Sequence, residues 1–417
     1  MKPAPFTYHD PETVDEAIAL LGQHEDAKLL AGGQSLMPML NMRFVVPDHV
    51  VDLNGVAGLA GITDAGDALE IGAMTRQRDL MRDAAVAALE SDRLGYTDAL
   101  GIPSLRQAIA AHYAGFYGVS VDPAQVVVTT GSSGAFLLAF LSAFDAGDRV
   151  ALAAPGYPAY RNILSALGVE PVVVETRLED RFQPTPEVLS RVEGDLDGLI
   201  VASPSNPTGT MIDNADMAAL TGYCRERGIR FISDEIYHGV TYGHESVCAL
   251  AHDENAIVIN SFSKYFSMTG WRLGWLVIPP DLARSVECLA QNLFISPPTL
   301  SQYAACAAFD SHDELQANVA SYAANRDILL RELPRVGFDR LAPADGAFYI
   351  YADVGALTND SPEFCRRMLT EAKIAATPGL DFDPYRGNAF VRFSFAGTQE
   401  DMTRAIERLA DWNGGRR

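Results

Sequence analysis

Short strand-like runs alternate with helical stretches through the middle of this 417-residue chain. The runs that we predict as strands lie at residues 125–130, 149–153, 170–175, 199–203, 230–233, 256–260 and 273–278. Because helices separate several of these runs, the pattern predicts an α/β fold with a largely parallel sheet covered by helices on both faces. From about residue 298 a long helical region leads to a shorter α+β tail, which indicates a smaller C-terminal domain with strands at 348–352 and 389–395.

The beginning of the chain follows a different pattern, with a Gly-rich turn between a short strand and a helix. The predicted helices lie at 11–21, 36–43 and from about 76, and the predicted strands lie at 27–31, 50–53 and 68–71. The pattern of the sequence changes near residues 82–92, after which the longer α/β alternation begins. We therefore predict three parts: an N-terminal fragment at 1–82, a large domain at 83–297 and a small domain at 298–417.

The charge balance and the apolar runs exclude several classes of protein. The formal net charge is −22, which argues against a nucleic-acid or anionic-membrane partner. The longest apolar run, residues 134–144, is too short to span a bilayer, and the first residues lack the apolar core of a secretion signal. We expect a cytoplasmic protein that binds neither nucleic acid nor membrane.

The cysteines and histidines predict neither a disulfide framework nor a metal site. The chain has five cysteines and eight histidines, all dispersed, and no H-E-x-x-H pattern. Scattered thiols of this kind are typical of a reducing compartment. The five cysteines are Cys224, Cys248, Cys288, Cys306 and Cys365.

Lysine is rare, which draws attention to Lys264. The chain has only four lysines, and Lys264 lies in an apolar, Ser-flanked stretch, with Arg272 eight residues further on. Only an amine can form an imine with an aldehyde, so Lys264 is a candidate Schiff-base lysine. The alternative is a solvated surface lysine.

Three predicted strands end in loops that carry polar groups. The turn from Gly131 to Gly134 opens a helix, where free backbone N–H groups and the helix dipole favour an anion. Asn206 lies in a loop fixed by two prolines and a glycine, and Asp234 and Tyr237 follow the next strand. Open α/β sheets place ligands at this edge. A capping serine, a self-bonded Asn and a capping Asp are the structural alternatives.

Together these groups are what one ligand requires, a phosphorylated aromatic aldehyde with a pyridine nitrogen. It needs an amine, an anion seat, a carboxylate for the ring nitrogen, donors for the phenolic oxygen and a flat partner for the ring. The chain offers, in that order, Lys264, the Gly131 turn with Arg272, Asp234, Asn206 with Tyr237, and Tyr157.

Residues from about 85 to 417 resemble the fold-type I, class I/II pyridoxal-phosphate-dependent aminotransferases. The motifs that carry the resemblance, in family order and spacing, are GYTDALGIPSLR, VTTGSSGAF, APGYPAY, SPSNPTGT, SDEIY, SFSKYFSMTGWRLGW, DGAFYIY and VRFSFA. The resemblance implies the PLP-transferase fold, an amino acid and a 2-oxo acid as substrates, and a homodimer.

The resemblance also implies a role for each matching residue. Lys264 is the catalytic lysine that holds the cofactor and transfers the proton, and Asp234 keeps the pyridine nitrogen protonated. Asn206 and Tyr237 bind the ring oxygen, and Tyr157 stacks on the ring. The phosphate site comprises Ser132, Ser133, Gly134, Ser261, Arg272 and, from the neighbouring subunit, Tyr96.

Substrate choice follows from two further positions. Arg392 matches the arginine that binds the substrate α-carboxylate, together with Asn206. Aspartate-preferring relatives with a G-G-K-Q phosphate loop read the distal carboxylate with a lysine, and this chain has Ser133 there. A neutral or aromatic substrate is therefore favoured over an acidic one. A lyase reaction of the same fold, a flavin-binding or electron-transfer module, and an inactive relative that still binds cofactor remain alternatives.

Residues 1 to about 82 resemble the N-terminal part of the FAD-binding medium subunit of molybdenum hydroxylases of the carbon monoxide dehydrogenase type. The resemblance rests on AGGQSLMPMLNMRFVVPDHVVDLNGVAGL and LEIGAMTRQRDL. It implies that the turn formed by Ala31, Gly32, Gly33, Gln34 and Ser35 lies on the FAD pyrophosphate. The family's later T-I-G-G-type loop is absent, and the fragment replaces the usual aminotransferase arm. A genuine fusion, a recombined or misassembled gene, and an inactive remnant are all consistent with the sequence.

Overall fold

The computed structural model describes residues 3–31, 36, 40, 43, 45–64, 69–74, 77–90 and 94–414. The chain divides into two compact units, Met1–Ala87 and Ala88–Arg417. The division falls within a helix, Gln77–Glu90. The three-part division at 82 and 297 stays a prediction.

The first unit contains a small parallel sheet. Strands β1 (Thr7–His9) and β2 (Ala27–Leu30) flank the central strand β3 (His49–Asp52), and both pair with it in parallel. Helix α1 (Val14–Gln23) begins where the Thr13 hydroxyl accepts a hydrogen bond from the Glu16 N–H. A two-stranded antiparallel sheet of β4 (Ile62–Asp64) and β5 (Leu69–Ile71) precedes α2 (Gln77–Glu90). The predicted helix at 36–43 lies mostly outside the described residues.

A seven-stranded sheet forms the centre of the second unit, and all seven predicted strand runs belong to it. Its strands are β6 (Val126–Thr129), β7 (Arg149–Ala154), β8 (Glu170–Glu175), β9 (Gly198–Ala202), β10 (Arg230–Asp234), β11 (Ile257–Ser261) and β12 (Gly274–Val277). Their order is β6-β12-β11-β10-β9-β7-β8, and β12 alone runs opposite to the other six strands. The predicted α/β fold with a mostly parallel sheet is confirmed.

Helices connect and cover these strands. Those of the second unit are α3 (Pro103–His112), α4 (Ser132–Ala143), α5 (Pro158–Ala166), α6 (Pro186–Leu189), α7 (Asn214–Arg227), α8 (Ala283–Leu293), α9 (Thr299–Ala308), α10 (His312–Glu332), α11 (Ser361–Arg367) and α12 (Gln399–Gly414). Local sequence explains several ends: Pro158 occupies the first position of α5, and Gly228 ends α7 in the left-handed region with φ of 67°. None of the helices in the described parts of the chain is long and apolar enough to cross a membrane.

A second sheet lies in the C-terminal part of this unit. The antiparallel strands β13 (Arg340–Leu341), β14 (Tyr349–Asp353), β15 (Thr377–Pro378) and β16 (Phe390–Ser394) have the order β13-β14-β16-β15. Buried side chains such as Phe338, Ile350 and Val391 form its core. A separate core packs α4, through Phe136 and Phe140, against the seven-stranded sheet.

Candidate active site

The carboxyl-terminal edge of the seven-stranded sheet gathers the predicted site residues. Because parallel strands end at the same edge, the loops after β6, β7, β9, β10 and β11 all open there. The loops line one cavity of ≈ 340 Å³. Its lining includes nine of the predicted residues: Ser132, Ser133, Tyr157, Asn206, Asp234, Tyr237, Lys264, Arg272 and Arg392.

Lys264 lies in the loop after β11, with its side chain in an apolar and aromatic setting. Its Nζ is 5.5 Å from the centre of the Tyr237 ring and 5.7 Å from that of Phe348. Burial lowers the pKa of the Lys264 amine, the Asp234 carboxylate opposes that shift, and two nearby arginines lower the pKa further. A lowered pKa favours the neutral amine that imine formation and proton transfer require.

Asp234 is the last residue of β10, and it is buried with a hydroxyl and an amide directed at it. The Tyr160 hydroxyl donates to Oδ2, and the Ile236 N–H donates to Oδ1 over 3.1 Å. Burial raises the pKa of Asp234 to about 6, although the bonds from Tyr160 and Ile236 and the charge of Lys264 act against the shift. A cationic partner in the cavity would therefore be strongly favoured beside this carboxylate.

The turn after β6 forms an anion seat. Gly131 has φ of 77° and precedes α4, whose first residues, Ser132 and Ser133, face the cavity. A Cβ on Gly131 would lie 2.6 Å from the Arg272 guanidinium, and one on Gly274 would lie 2.9 Å from the Ser132 nitrogen. Only glycine allows this close approach, which brings a cation and the amino end of a helix to one point.

Arg392 of β16 forms a second anion-binding feature. Its Nη1 donates to Asn206 Oδ1 over 2.7 Å and its Nη2 to Thr377 Oγ1 over 3.2 Å. The guanidinium carbon lies 4.2 Å from the centre of the Tyr349 ring and 4.8 Å from that of Phe382. Within the described residues the buried Nε of Arg392 has no hydrogen-bond partner. A buried N–H without a partner, on a positively charged side chain that lines the cavity, favours the binding of an anionic ligand group.

Three predicted phosphate residues do not line the cavity. Gly134 is buried inside α4, and Tyr96 is 84% exposed. Ser261 is buried, and its hydroxyl donates to the Leu273 carbonyl over 3.1 Å and lies 2.9 Å from the Ser263 hydroxyl. Ser263 itself lines the cavity, so Ser261 holds a lining residue in place.

Sequence reasoning missed seven lining residues, of which four carry polar side chains: Tyr160, Ser263, Thr269 and Tyr349. Tyr349 is linked to a predicted residue, since its hydroxyl lies 3.0 Å from that of Tyr237. Tyr160 and Tyr349 stand inside the motifs APGYPAY and DGAFYIY, which were recognised as family signatures without a role for these positions. The contacts that give them a role join residues far apart in the chain.

Of the proposed flavin turn, the structure describes Ala31 alone. Ala31 is exposed after β2, and its carbonyl accepts a hydrogen bond from the Asn54 side chain over 2.8 Å. Gly32, Gly33, Gln34 and Ser35 lie outside the described residues.

Comparison with known proteins identifies the family. Residues 68–409 match the family model of class I and II aminotransferases. The chain belongs to this family. A valine–pyruvate aminotransferase from Mycobacterium tuberculosis is 54% identical over 80% of this chain and 87% of its own length. A (5-formylfuran-3-yl)methyl phosphate transaminase from Methanocaldococcus jannaschii is 34% identical over 79% of this chain and 86% of its own length.

A solved structure agrees with this aminotransferase assignment. The crystal structure of an aminotransferase from Mycobacterium tuberculosis shares 53% identity and a TM-score of 0.80, and the match covers 81% of this chain and 88% of that one. The predicted activity of a pyridoxal-phosphate-dependent aminotransferase is confirmed. The cavity fits the cofactor, because it contains an amine, a buried carboxylate and an anion seat.

The N-terminal resemblance is confirmed as well. Residues 4–110 match the family model of the FAD-binding domain in molybdopterin dehydrogenase. This match and the aminotransferase match overlap at residues 68–110. The described helix α2, Gln77–Glu90, lies inside the overlap.

Proposed function

We propose that this aminotransferase exchanges the amino group of a neutral L-amino acid with a 2-oxo acid that carries one carboxylate, such as pyruvate. The observation that carries the proposal is the set of cations in the cavity. The described lining residues include three cations, Lys264, Arg272 and Arg392. Lys264 is assigned to the cofactor aldehyde and Arg272, beside the Gly131 turn, to the phosphate. Arg392 remains for a single substrate carboxylate, and the described lining residues offer no further cation for a distal one.

The remaining roles follow from position. Bound pyridoxal phosphate supplies an aldehyde for imine formation and a ring that withdraws electrons. We assign Asp234 to hold a proton at the ring nitrogen, with Tyr160 keeping the carboxylate ionised and oriented. Lys264 accepts and returns the substrate Cα proton, and Tyr157 packs on the ring face. Asn206 orients Arg392, so it aligns the substrate carboxylate as well as the ring oxygen.

The relative from Mycobacterium tuberculosis supports the substrate class. Its name gives valine and pyruvate, one neutral amino acid and one monocarboxylic 2-oxo acid, as its substrates. Ser133 stands where aspartate-preferring relatives of the G-G-K-Q type have a lysine, and here it lines the cavity. Both observations point to the same kind of substrate.

An amino-donor panel tests the proposal. With pyruvate as acceptor, kcat/KM for L-valine is expected to exceed that for L-aspartate by at least about 10²-fold, because a distal carboxylate would be desolvated without a partner. Arg392→Lys should raise KM for every donor by about 10²-fold, since a forked charge-assisted contact is lost. Arg340→Lys, which alters an exposed ion pair with Asp353, is the matched control. Equal or better use of L-aspartate would contradict the proposal.

We also propose that the enzyme is a homodimer in which Tyr96 reaches the partner's phosphate site. Tyr96 is 84% exposed, although a tyrosine ring is mostly apolar. Light scattering is expected to give twice the chain mass of 45.0 kDa. Tyr96→Phe should weaken cofactor binding about tenfold through loss of one hydrogen bond, whereas Tyr385→Phe, at another exposed tyrosine (76%), should not. A monomer with full cofactor affinity would refute this arrangement.

We propose a cytoplasmic location for the enzyme. All five cysteines are free, which suits a reducing compartment. Fractionation of the native host, followed by an immunoblot, tests the location.

A further inference from the structure

Three histidines of the first unit, to which no role in transamination is assigned, lie close together. One ring nitrogen from each of His9, His24 and His49 lies within 4.8 Å of the corresponding nitrogen of the other two. His9 Nε2 and His49 Nδ1 are 3.0 Å apart. The rings of His24 and His49 are stacked with their centres 3.7 Å apart, and His9 stacks on both at 5.3 and 5.2 Å.

The fold of the unit creates this cluster from positions that are separated in the chain. His9 ends β1 and His49 begins β3, and the parallel register pairs Thr7 with His49, which places the two histidines on adjacent strands. His24 caps the carboxyl end of α1, where its N–H donates to the Leu20 carbonyl. Eight histidines that are dispersed along the sequence thus include three that meet in space.

The chemistry of this cluster suits a cation. A neutral imidazole offers one ring-nitrogen lone pair to a cation, and here three ring nitrogens lie within 4.8 Å of one another. Two ligands of a tetrahedral zinc ion, each at 2.0–2.1 Å, are about 3.3 Å apart, close to the distance between His9 Nε2 and His49 Nδ1. The carboxyl end of α1 adds the negative pole of a helix dipole beside His24.

We propose that His9, His24 and His49 bind one late first-row divalent metal ion, with zinc as the expected ion, through one imidazole nitrogen each, once the stacked rings turn so that their in-plane lone pairs converge. Imidazole is the preferred ligand of zinc, copper, nickel and cobalt among the protein groups present. Three histidines leave the fourth position of a tetrahedral site for water or another small ligand. The ion joins β1, α1 and β3, so it cross-links two strands of the small parallel sheet to the end of helix α1.

Zinc titration of the full-length, cofactor-loaded protein tests this site. After removal of metals with a chelator, calorimetry is expected to show one zinc equivalent that binds to the wild type. His24→Ala and His49→Asn should each weaken that binding at least about 100-fold. His244→Ala, which changes an exposed histidine in the second unit, should leave it unchanged.

Two further measurements keep the test valid if one variant folds poorly. Cobalt bound to the wild type should give intense visible d–d bands of a four-coordinate nitrogen and oxygen site, without a thiolate charge-transfer band. Zinc should raise the unfolding temperature of the wild type more than that of His24→Ala, whose far-ultraviolet circular dichroism is compared first. Equal zinc affinity in wild type and both folded variants, or zinc bound only through thiolate, would overturn the proposal.

Discussion

The two compact units each build on a parallel sheet, but the sheets differ greatly in how much they bury. In Met1–Ala87 the central strand of three buries Val50 and Val51, while its neighbour β2 leaves Leu29 45% exposed. In Ala88–Arg417 every residue of β11 is buried in a sheet of seven strands. A small sheet buries little apolar surface on folding, so we expect the first unit to have a lower free energy of unfolding than the second.

The larger core of the second unit allows it to contain buried ionisable groups. A buried carboxylate such as Asp234 and a half-buried amine such as Lys264 cost free energy that only a large core can offset. The second unit contains both in one cavity. In the first unit the described histidine cluster needs no deep burial, because a metal ion would contribute its own binding energy.

The largest expected difference is in kcat/KM, between a variant that loses a lysine amine in the second unit and one that loses a lysine amine in the first. Lys264→Ala should lower kcat/KM by on the order of 10⁴-fold or more, because it removes the amine to which we assign proton transfer and covalent attachment of the cofactor. Lys28→Ala, which changes an exposed lysine of the first unit, should leave the rate unchanged. Steady-state kinetics measure both effects. Mass spectrometry after borohydride reduction should find the pyridoxyl group on the peptide that contains residue 264, and its absence there would refute the assignment.

The buried carboxylate should make the stability of the cofactor-free protein depend on pH. Burial raises the pKa of Asp234 from 3.8 to about 6, so the folded state holds this proton more tightly than the unfolded state. The stability contribution is therefore lost as pH rises from about 4 to about 6. Asp234→Asn should gain about 3 kcal/mol in unfolding free energy relative to wild type across that range.

The control for this pH effect is Asp26→Asn, which changes an exposed carboxylate in the first unit. Its unfolding free energy is expected to follow the wild type over the same range. Urea titrations from pH 4 to pH 7 supply the comparison. A constant difference between Asp234→Asn and wild type would show that the burial of Asp234 does not govern its titration.

The smallest expected effect compares one substitution in the two cores. Val51 and Val258 are both fully buried on inner strands, β3 and β11. Val258→Ala should cost about 2 kcal/mol, whereas Val51→Ala should cost about 1 kcal/mol because a thin layer relaxes around the cavity. Thermal scans of wild type are expected to show two unfolding transitions. Val51→Ala should lower the midpoint temperature of one transition only, and Val258→Ala that of the other only. One shared transition, lowered equally by both, would mean that the units unfold together.

The sequence predicted much of the fold and of the site. Each strand of the central sheet lies in a short strand-like run of the sequence, and parallel strands must end at one edge, so Asn206, Asp234 and Lys264 could be placed together. The role of Tyr160 could not be predicted, because its bond to Asp234 joins residues 74 positions apart in the chain. The histidine cluster could not be predicted for the same reason, because it depends on the register between β1 and β3.

The antiparallel pairing of β11 with β12 places Lys264 and Arg272 in one connecting loop. β11 ends at Ser261 and its neighbour β12 begins at Gly274, so the connecting loop contains both Lys264 and Arg272. An insertion or deletion between residues 264 and 272 would change the separation of the Lys264 amine and the Arg272 guanidinium.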